Sequence, residues 1–539
     1  MRTLSWLSVS DGRLVDETGR TVLLDGINLG NWFVQEGYMW FFRGVDRSRR
    51  IRPFVAQLAG EEYARTFWKR FFDTFITEED ISRIAAEGFN CVRLPLDASL
   101  LLSERTDAIE FFEDGFRRID ECVRWCREHG LYIVLDLHCA PGGQTGQEID
   151  NSVNDRPELL LDPWRWKQGL ALWEELARRY RDEPTIALYD LLNEPVSGRQ
   201  PDYEALRDKL SAFYRDCVAA IRRIDARHVL SIEGSRWASD PTIFSERFDD
   251  RMVIHAHTYG EFPDERFART WNEPRARLGV PLLLGETGEN EPAWCASVLG
   301  QAHAEGISTC FWTWKKMDER SPLRIRKPAG WTRLSEATRG GAVPPPEEAR
   351  AIFDEFLSAI PCGACSRNDA MANAIRRTAP LTLRATDFDP GAPHYRAAHP
   401  VADPPPFPDG RPALRAGTGL RIVALDGRHW EHGPGFTSNW DFFGLELTAG
   451  DFVEYSVSGV RPGDRLELLG AGSGSSSGAV AVSFRTAESA PAEPSASLLS
   501  FPPGPPTAAA CPIPAEGRLT VRLTGRTGAA ILREVRFLR

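Results

Sequence analysis

Two glutamates in this chain stand directly after apolar runs, in Leu191-Leu192-Asn193-Glu194-Pro195 and Leu283-Leu284-Gly285-Glu286. Runs of this kind form buried parallel strands. Each carboxylate therefore emerges at a strand's C-terminal end, the rim where barrel enzymes keep their chemistry. Two carboxylates facing each other are the minimal apparatus for cleaving a glycosidic bond. One strand-end Glu alone has an equal claim to being a salt-bridge partner or a helix cap. The other strand ends decide between these readings: Arg93 closes the second, His138 follows the third, His257 and Tyr259 the sixth, and Trp312 and Trp314 the eighth. Independent structural accidents would not gather Arg, His, Asn, Glu, Tyr and Trp on one rim.

Roles follow from physical need. A retaining hydrolase uses one carboxylate as nucleophile and a second as acid, then base, about 5–5.5 Å away. The nucleophile must stay ionised, and Arg93 beside Glu286, with a Tyr259 hydroxyl donating to it, would hold its pKa down. The acid must keep a proton near neutrality, which places Glu194 in the less cationic setting. Asn193 can donate to a sugar 2-hydroxyl, a contact that strengthens in the transition state. His138 and His257 bind sugar hydroxyls or orient the acid, and Trp312 offers an aromatic face to a pyranose.

The elements that must position these groups are legible from about residue 20 to 315, where short apolar runs alternate with amphipathic stretches, the pattern of an α/β fold with a parallel sheet. Strands are predicted at Val22–Ile27, Cys91–Leu94, Leu131–Leu137, Ala187–Leu192, Val229–Ile232, Met252–His257, Pro281–Gly285 and Gly306–Trp312. Helices are predicted at Glu79–Glu87, Phe116–Glu128, Trp164–Tyr180, Tyr203–Ile224 and Pro292–His303, with Gly88 and Gly130 as C-terminal stops. Eight such units are the size of a (β/α)8 TIM barrel, expected over residues 1–360 with a final helix Glu347–Ile360. Past residue 361 helical periodicity disappears. A polar, Pro-rich linker is expected at 361–385 and an all-β sandwich at 386–539, with strands at Phe452–Val457, Arg465–Leu469, Ala479–Phe484 and Leu519–Leu523. Ser473–Gly478 and Ala487–Pro506 read as loops.

At 539 residues two domains are the default, and 42% hydrophobic with 26% charged residues is the composition of a globular protein. A formal net charge of −11 with no Lys/Arg-rich block argues against a nucleic-acid partner. No run of about 18 apolar residues spans a membrane. The first ten residues lack the apolar core of a secretory signal, so the expectation is a cytoplasmic protein, or one exported through a truncated or missing signal. Ten cysteines scattered through the chain fit buried thiols better than a disulfide framework. Cys362-Gly363-Ala364-Cys365 is a lone pair without the two further ligands a zinc site needs, and neither metal nor cofactor is expected.

Asn193-Glu194-Pro195, Gly285-Glu286, Arg93, His138, His257-Thr258-Tyr259 and Trp312 together resemble glycoside hydrolase family 5 of the large retaining clan. The resemblance implies Glu194 as acid/base and Glu286 as nucleophile, and a glycoside or an oligo- or polysaccharide as substrate. Three stretches are similar to the exo-β-1,3-glucanase-like branch: Gly26-Ile27-Asn28-Leu29-Gly30-Asn31-Trp32, Asp136–Gly146 and Phe311-Trp312-Thr313-Trp314-Lys315. They add Asn31, Trp32 and Trp314 as substrate-binding candidates. Cys139 stands where that branch has Gly, and Gln147-Glu148-Ile149 lengthens the loop before Asp150. Trp32, Tyr38, Trp40, Phe41 and Phe42 either wall off one end of the cleft, favouring exo-action, or line its hydrophobic floor. Relatives with such motifs also act on other β-glucosides, among them disaccharide-releasing and glycolipid-cleaving enzymes, and the family further includes β-mannosidases and some furanosidases. Gly450–Val457 is similar to a strand of carbohydrate-binding modules, and Arg428-His429-Trp430 with Asn439-Trp440-Asp441-Phe442 offers aromatics for sugar stacking or for packing. Two other readings are a transglycosylase and a carbohydrate-binding protein on an inactive barrel. The latter predicts loss of a carboxylate or of Arg93, and all are present.

Overall fold

The computed structural model describes residues 4–408, 410–428, 440–486 and 497–539. The chain divides into two compact units, the first comprising Met1–Thr258, Thr270–Thr287 and Ile307–Asn368, the second Tyr259–Arg269, Gly288–Gly306 and Asp369–Arg539.

Eight parallel strands close into a barrel in chain order: β1 (Asp25–Asn28), β2 (Cys91–Asp97), β3 (Tyr132–Cys139), β4 (Ile186–Asp190), β5 (Val229–Glu233), β6 (Met252–His257), β7 (Leu282–Gly288) and β8 (Ser308–Trp312), with β8 pairing back to β1. Residues β2 through β8 are buried on both faces, as strands enclosed by helices must be. An N-terminal hairpin, Ser8–Ser10 with Arg13–Val15, brings Leu7 and Leu14 into one apolar cluster with Leu24, Cys91, Val134, Leu188, Val229, Val253, Leu283 and Cys310. These strand residues precede the rim positions, so the hairpin closes the end of the barrel opposite the functional rim.

The predicted helices are observed at Glu78–Ala86, Glu113–His129, Pro163–Tyr180, Tyr203–Arg222, Pro292–Ala304 and Pro346–Ala359. Gly130 ends the second of these at φ 72°, a left-handed conformation that favours glycine. Helices Ser48–Ala59, Glu61–Thr74 and Arg266–Leu278 were not expected. The first and last of them carry an internal proline, Pro53 and Pro274, which reads in sequence as a stop.

Asp80 ties the helix Glu78–Ala86 to the segment leaving β8. One carboxylate oxygen accepts from the Thr77 N–H at 3.0 Å. The other accepts from the Trp314 indole at 2.9 Å and from the Lys315 ammonium at 2.6 Å, all buried. Asp80→Asn is expected to leave the Lys315 charge without its counter-ion and to destabilise the barrel by about 3–5 kcal/mol, read as a lowered Tm.

The segment 361–385, expected as a linker, instead carries a 3-10 turn at Cys362–Ala364, helix Asp369–Ile375 and strand Leu381–Arg384. Met371, Ala372, Ala374, Leu381 and Leu383 are buried, so the stretch has an apolar face that Pro and Arg content masks in the sequence. Beyond it, two antiparallel sheets form the all-β region. One runs Arg421–Ala424, Phe443–Leu447, Ala530–Leu538, Arg465–Gly472, Thr507–Pro512, with Leu381–Arg384 also on Ala530–Leu538. The other runs Tyr395–Arg396, Phe452–Val460, Gly517–Thr527, Gly478–Thr486, Ser497–Phe501. Alternate residues such as Leu466, Leu468, Leu519, Val521 and Leu523 are buried.

Part of the run Ala487–Pro506, read as loop, is the strand Ser497–Phe501, and residues 487–496 lie outside the described residues. Trp440 and Phe442 are both 2% exposed, so these aromatics pack inside rather than present a stacking face. His429, Trp430 and Asn439 lie outside the described residues. All ten cysteines are buried thiols. Among the described residues no helix is long and apolar enough to cross a membrane.

Candidate active site

Arg93, on β2, is fully buried and forms the centre of the rim. Its guanidinium donates to Glu286 Oε1, to Asp190 Oδ2 at 2.9 Å, to Asn28 Oδ1 at 3.1 Å, to Asn193 Oδ1 at 2.8 Å and to Glu233 Oε1 at 3.1 Å. Asp136 Oδ2 lies 3.0 Å from the same group. A single buried cation thus compensates several carboxylates that the barrel brings in from different strands.

Glu286 ends the sequence Leu283-Leu284-Gly285-Glu286 within β7 and is 4% exposed. Gly285 is required there: a Cβ at that position would lie 1.6 Å from His255 Nε2 of the neighbouring strand. Glu194 follows β4 with φ 42°, a left-handed backbone rare for a non-glycine residue and typical of functional positions. Its N–H donates to Glu233 Oε2 at 2.6 Å, and its Oε1 lies 2.8 Å from His257 Nδ1. One carboxylate oxygen of Glu194, one of Glu286 and a ring nitrogen of His257 all lie within 4.8 Å of one another. Burial, and then the neighbouring carboxylates Glu286, Glu233 and Glu36, push the Glu194 carboxyl well above the usual glutamate range.

His138 donates from Nδ1 to Asp136 Oδ2 at 2.7 Å, and its Nε2 accepts from Asn193 Nδ2 at 3.3 Å. Burial lowers its pKa to about 4, so the ring is neutral, as this pairing requires. Trp312 stacks on that imidazole, centroids 5.5 Å apart and planes 12° apart, while its indole donates to the Tyr38 hydroxyl at 2.6 Å. Glu36 Oε1 stands 3.9 Å from His138 Nε2. Burial likewise drives the pKa of His257 well below its ordinary value. Tyr259 is half-buried two residues beyond β6, its carbonyl accepting from Asn290 Nδ2 at 2.9 Å.

Arg93, His138, Asn193, Glu194, His257, Glu286 and Trp312 are therefore brought together. Three further candidates have their side-chain hydrogen bonds elsewhere. Trp314 is buried with its indole on Asp80. Trp32 is buried with its indole on the Phe72 carbonyl. Asn31 accepts from the Trp40 indole at 2.6 Å and fixes that ring in the aromatic cluster with Phe42, Phe71 and Trp331. Trp32, Trp40 and Phe42 are buried as the hydrophobic-floor reading requires, and Tyr38 reaches the rim cluster through Trp312.

Sequence reading missed Glu233, His255, Asp190 and Asp136, all fully buried around Arg93. For Glu233 the signal was available, since it ends the run Val229-Leu230-Ser231-Ile232 as Glu194 ends its own. It also missed Trp237, half-buried on the loop after β5, whose indole donates to Gln147 Oε1 at 2.8 Å. The backbone of Arg236, Trp237 and Ala238 is left-handed throughout, with φ 54°, 55° and 56°. Gln147 belongs to the lengthened loop after β3, so the two rim loops are tied by this bond. Two triads, Glu233–His255–His257 and Glu194–His257–Glu286, have donor atoms close enough to share a cation. The carboxylates of Glu233 and Glu286 are already held by Arg93, and His257 Nδ1 by Glu194, so a metal would have to displace these partners.

Residues 53–318 match the family model Cellulase (glycosyl hydrolase family 5). The chain is 32% identical over 265 residues to a "Beta-xylosidase" of Phanerodontia chrysosporium, covering 48% of this chain and 53% of that protein. It is 36% identical over 211 residues to "Endoglucanase C" of Acetivibrio thermocellus, covering 39% of this chain and 57% of that one. With a "Probable glucan endo-1,6-beta-glucosidase B" of Aspergillus flavus it shares 25% identity over 369 residues, 59% of this chain and 92% of the relative. The chain thus spans about half the length of the first two relatives. The matched stretch, residues 53–318, contains β2 through β8 of the closed barrel and the rim with its paired carboxylates, and this part of the chain is similar to glycosyl hydrolase family 5.

Proposed function

We propose that this protein is a retaining β-glycoside hydrolase in which Glu286 is the nucleophile and Glu194 the acid/base. The observation that carries the reading is the approach of the two carboxylates to within 4.8 Å. That separation suits direct attack on the sugar, whereas inverting enzymes keep about 6.5–9.5 Å to admit a water. In the first step a Glu286 oxygen bonds to the anomeric carbon as the glycosidic C–O bond breaks, and Glu194 gives its proton to the departing oxygen. In the second, Glu194 takes a proton from water, whose oxygen bonds to the anomeric carbon and releases Glu286. Arg93 keeps the nucleophile ionised. Asn193, oriented by Arg93 and His138, has an N–H left for the sugar 2-hydroxyl, and Trp312, braced by His138, offers the sugar an aromatic face.

The substrate class is a β-glucoside, attacked from the chain end as in the exo-β-1,3-glucanase-like branch. The branch-like motifs around β1, β3 and β8 support this, and the relatives' names, a β-xylosidase, an endoglucanase and a glucan endo-1,6-β-glucosidase, support a β-linked substrate more broadly. The test is a panel of nitrophenyl β-glycosides, then laminarin, gentiobiose and rutinoside-type substrates. Turnover of β-gluco compounds with retained anomeric configuration is expected. Turnover of a mannoside or furanoside alone would overturn the branch assignment, and an inverted product would overturn the mechanism.

A pH dependence follows. Catalysis needs Glu194 protonated, and its carboxyl is held well above 4.5 by burial and neighbouring carboxylates. Activity is therefore present below that raised pKa and lost as pH rises through it, so kcat/KM is expected to fall on an alkaline limb far above that of a free glutamate. Replacing Glu194 should remove that limb from the profile.

A further inference from the structure

Resting on the assignment of Glu194 as the acid, we infer that Glu233, which no part of that assignment uses, is the positioning residue that controls the proton Glu194 carries. Glu233 ends β5 and is fully buried. Its two oxygens do different things. Oε2 accepts from the Glu194 N–H at 2.6 Å, clamping the backbone of a residue held at φ 42°. Without that acceptor the N–H loses a buried partner and the left-handed pose its anchor. Oε1 accepts from Arg93 and lies 3.4 Å from His257 Nε2.

The second oxygen bears on protonation. His257 Nε2 faces Glu233 Oε1 and, at 3.1 Å, His255 Nε2. His255 Nδ1 lies 2.8 Å from the Ser231 hydroxyl and 3.1 Å from the Asp190 carboxylate, which can only accept, so this side of the ring carries a hydrogen and Nε2 is turned to His257. The Glu233 Oε1 acceptor, fixed in place by Arg93, draws the His257 hydrogen to Nε2. Its Nδ1 is then a lone pair aimed at Glu194 Oε1 from 2.8 Å, and that contact is a hydrogen bond only when Glu194 supplies the hydrogen. The ionised carboxylate would meet a lone pair instead. The arrangement favours the protonated acid in the resting enzyme.

The charged and titratable groups around Glu233 come from each neighbouring strand: Arg93 from β2, Asp136 from β3, Asp190 and then Glu194 from β4 and its end, and His255 and His257 from β6. Tyr214, on helix Tyr203–Arg222, donates to the Glu233 main-chain carbonyl at 3.1 Å. Glu286 and Glu36 also face Glu194. Arg93 retains Asp136, Asp190, Asn28 and Glu286 if the Glu233 carboxylate is removed, so the nucleophile keeps its cation.

The experiment compares kcat/KM for phenyl and 2,4-dinitrophenyl β-glucosides across pH in wild type, Glu233→Ala and Glu233→Gln. Phenolate needs a proton to depart, whereas dinitrophenolate hardly does, so a fault in the acid is read as a difference between the two substrates. For Glu233→Ala the expected loss is about 100-fold on the phenyl glucoside, within the range of general-acid contributions, against about threefold or less on the dinitrophenyl one. Glu233→Gln is nearly isosteric and keeps an oxygen for the Glu194 N–H. It turns an amide N–H toward His257 Nε2, favouring the tautomer that donates to Glu194. The carboxylate form is then stabilised, and the alkaline limb moves to lower pH by about one unit or less, with a smaller phenyl-specific loss of about tenfold. If the Ala variant does not fold, the Gln variant alone carries the test. Equal losses on both glucosides, or an alkaline limb that does not move, would overturn the inference while leaving the family reading intact. Release of no phenol from any β-glycoside by the wild type would instead bring down the reading of the function itself.

Discussion

Glu286→Gln should reduce turnover by roughly 10^4- to 10^6-fold, the scale on which loss of an essential nucleophile reads in other hydrolases. The amide is nearly isosteric, so the fold should survive and Tm should change little. What disappears is the negative oxygen that bonds to the anomeric carbon. The amide also faces Arg93, which now presents its cation to a neutral group. The check is a steady-state assay on an activated aryl glucoside at high enzyme concentration. Rates within tenfold of wild type would remove Glu286 from the role and with it the covalent mechanism.

Glu194→Ala should behave differently. For a glucoside with a poor leaving group, kcat/KM should fall by about 10^2- to 10^4-fold, the usual contribution of a general acid. With 2,4-dinitrophenyl β-glucoside the first step should proceed and the second stall, because no base remains to activate water. The glycosyl-enzyme then accumulates, giving a burst detectable by mass spectrometry. Azide, small enough for the space left by the carboxylate and nucleophilic without a base, should restore turnover and yield a β-glucosyl azide. Failure of azide to accelerate the variant, or formation of an α-azide, would contradict the assignment. The contrast with Glu286→Gln is the sharper for being qualitative: one variant has no first step, the other lacks help in both.

The eight barrel strands were legible because each is a short apolar run with polar punctuation, and every one is found within a few residues of its expected place. Strand-end residues were legible for the same reason, since the end of a run marks the rim. The interior of the barrel was not. Asp136, Asp190 and His255 sit inside strands, and each is tolerable there only through partners on other strands, pairings that no local pattern encodes. Aromatic residues near a rim motif were over-read. Trp314 follows Trp312 by two positions, yet turns to Asp80 on a neighbouring helix, and only the packing of that helix decides so. Helices containing Pro53 and Pro274 were missed because a local helix-breaking signal was overridden by burial of residues such as Ile51, Val55 and Trp271.

The imidazole of His255 fills the space beside Gly285 so completely that the two positions can change only together. Tuning the nucleophile's reach by substituting its predecessor in the chain is closed off, because even a methyl group there must first evict a ring from the barrel. Variation in substrate choice has to come from loops beyond the strands, such as the pair joined by Gln147 and Trp237, where side chains can be exchanged without disturbing what lies beneath.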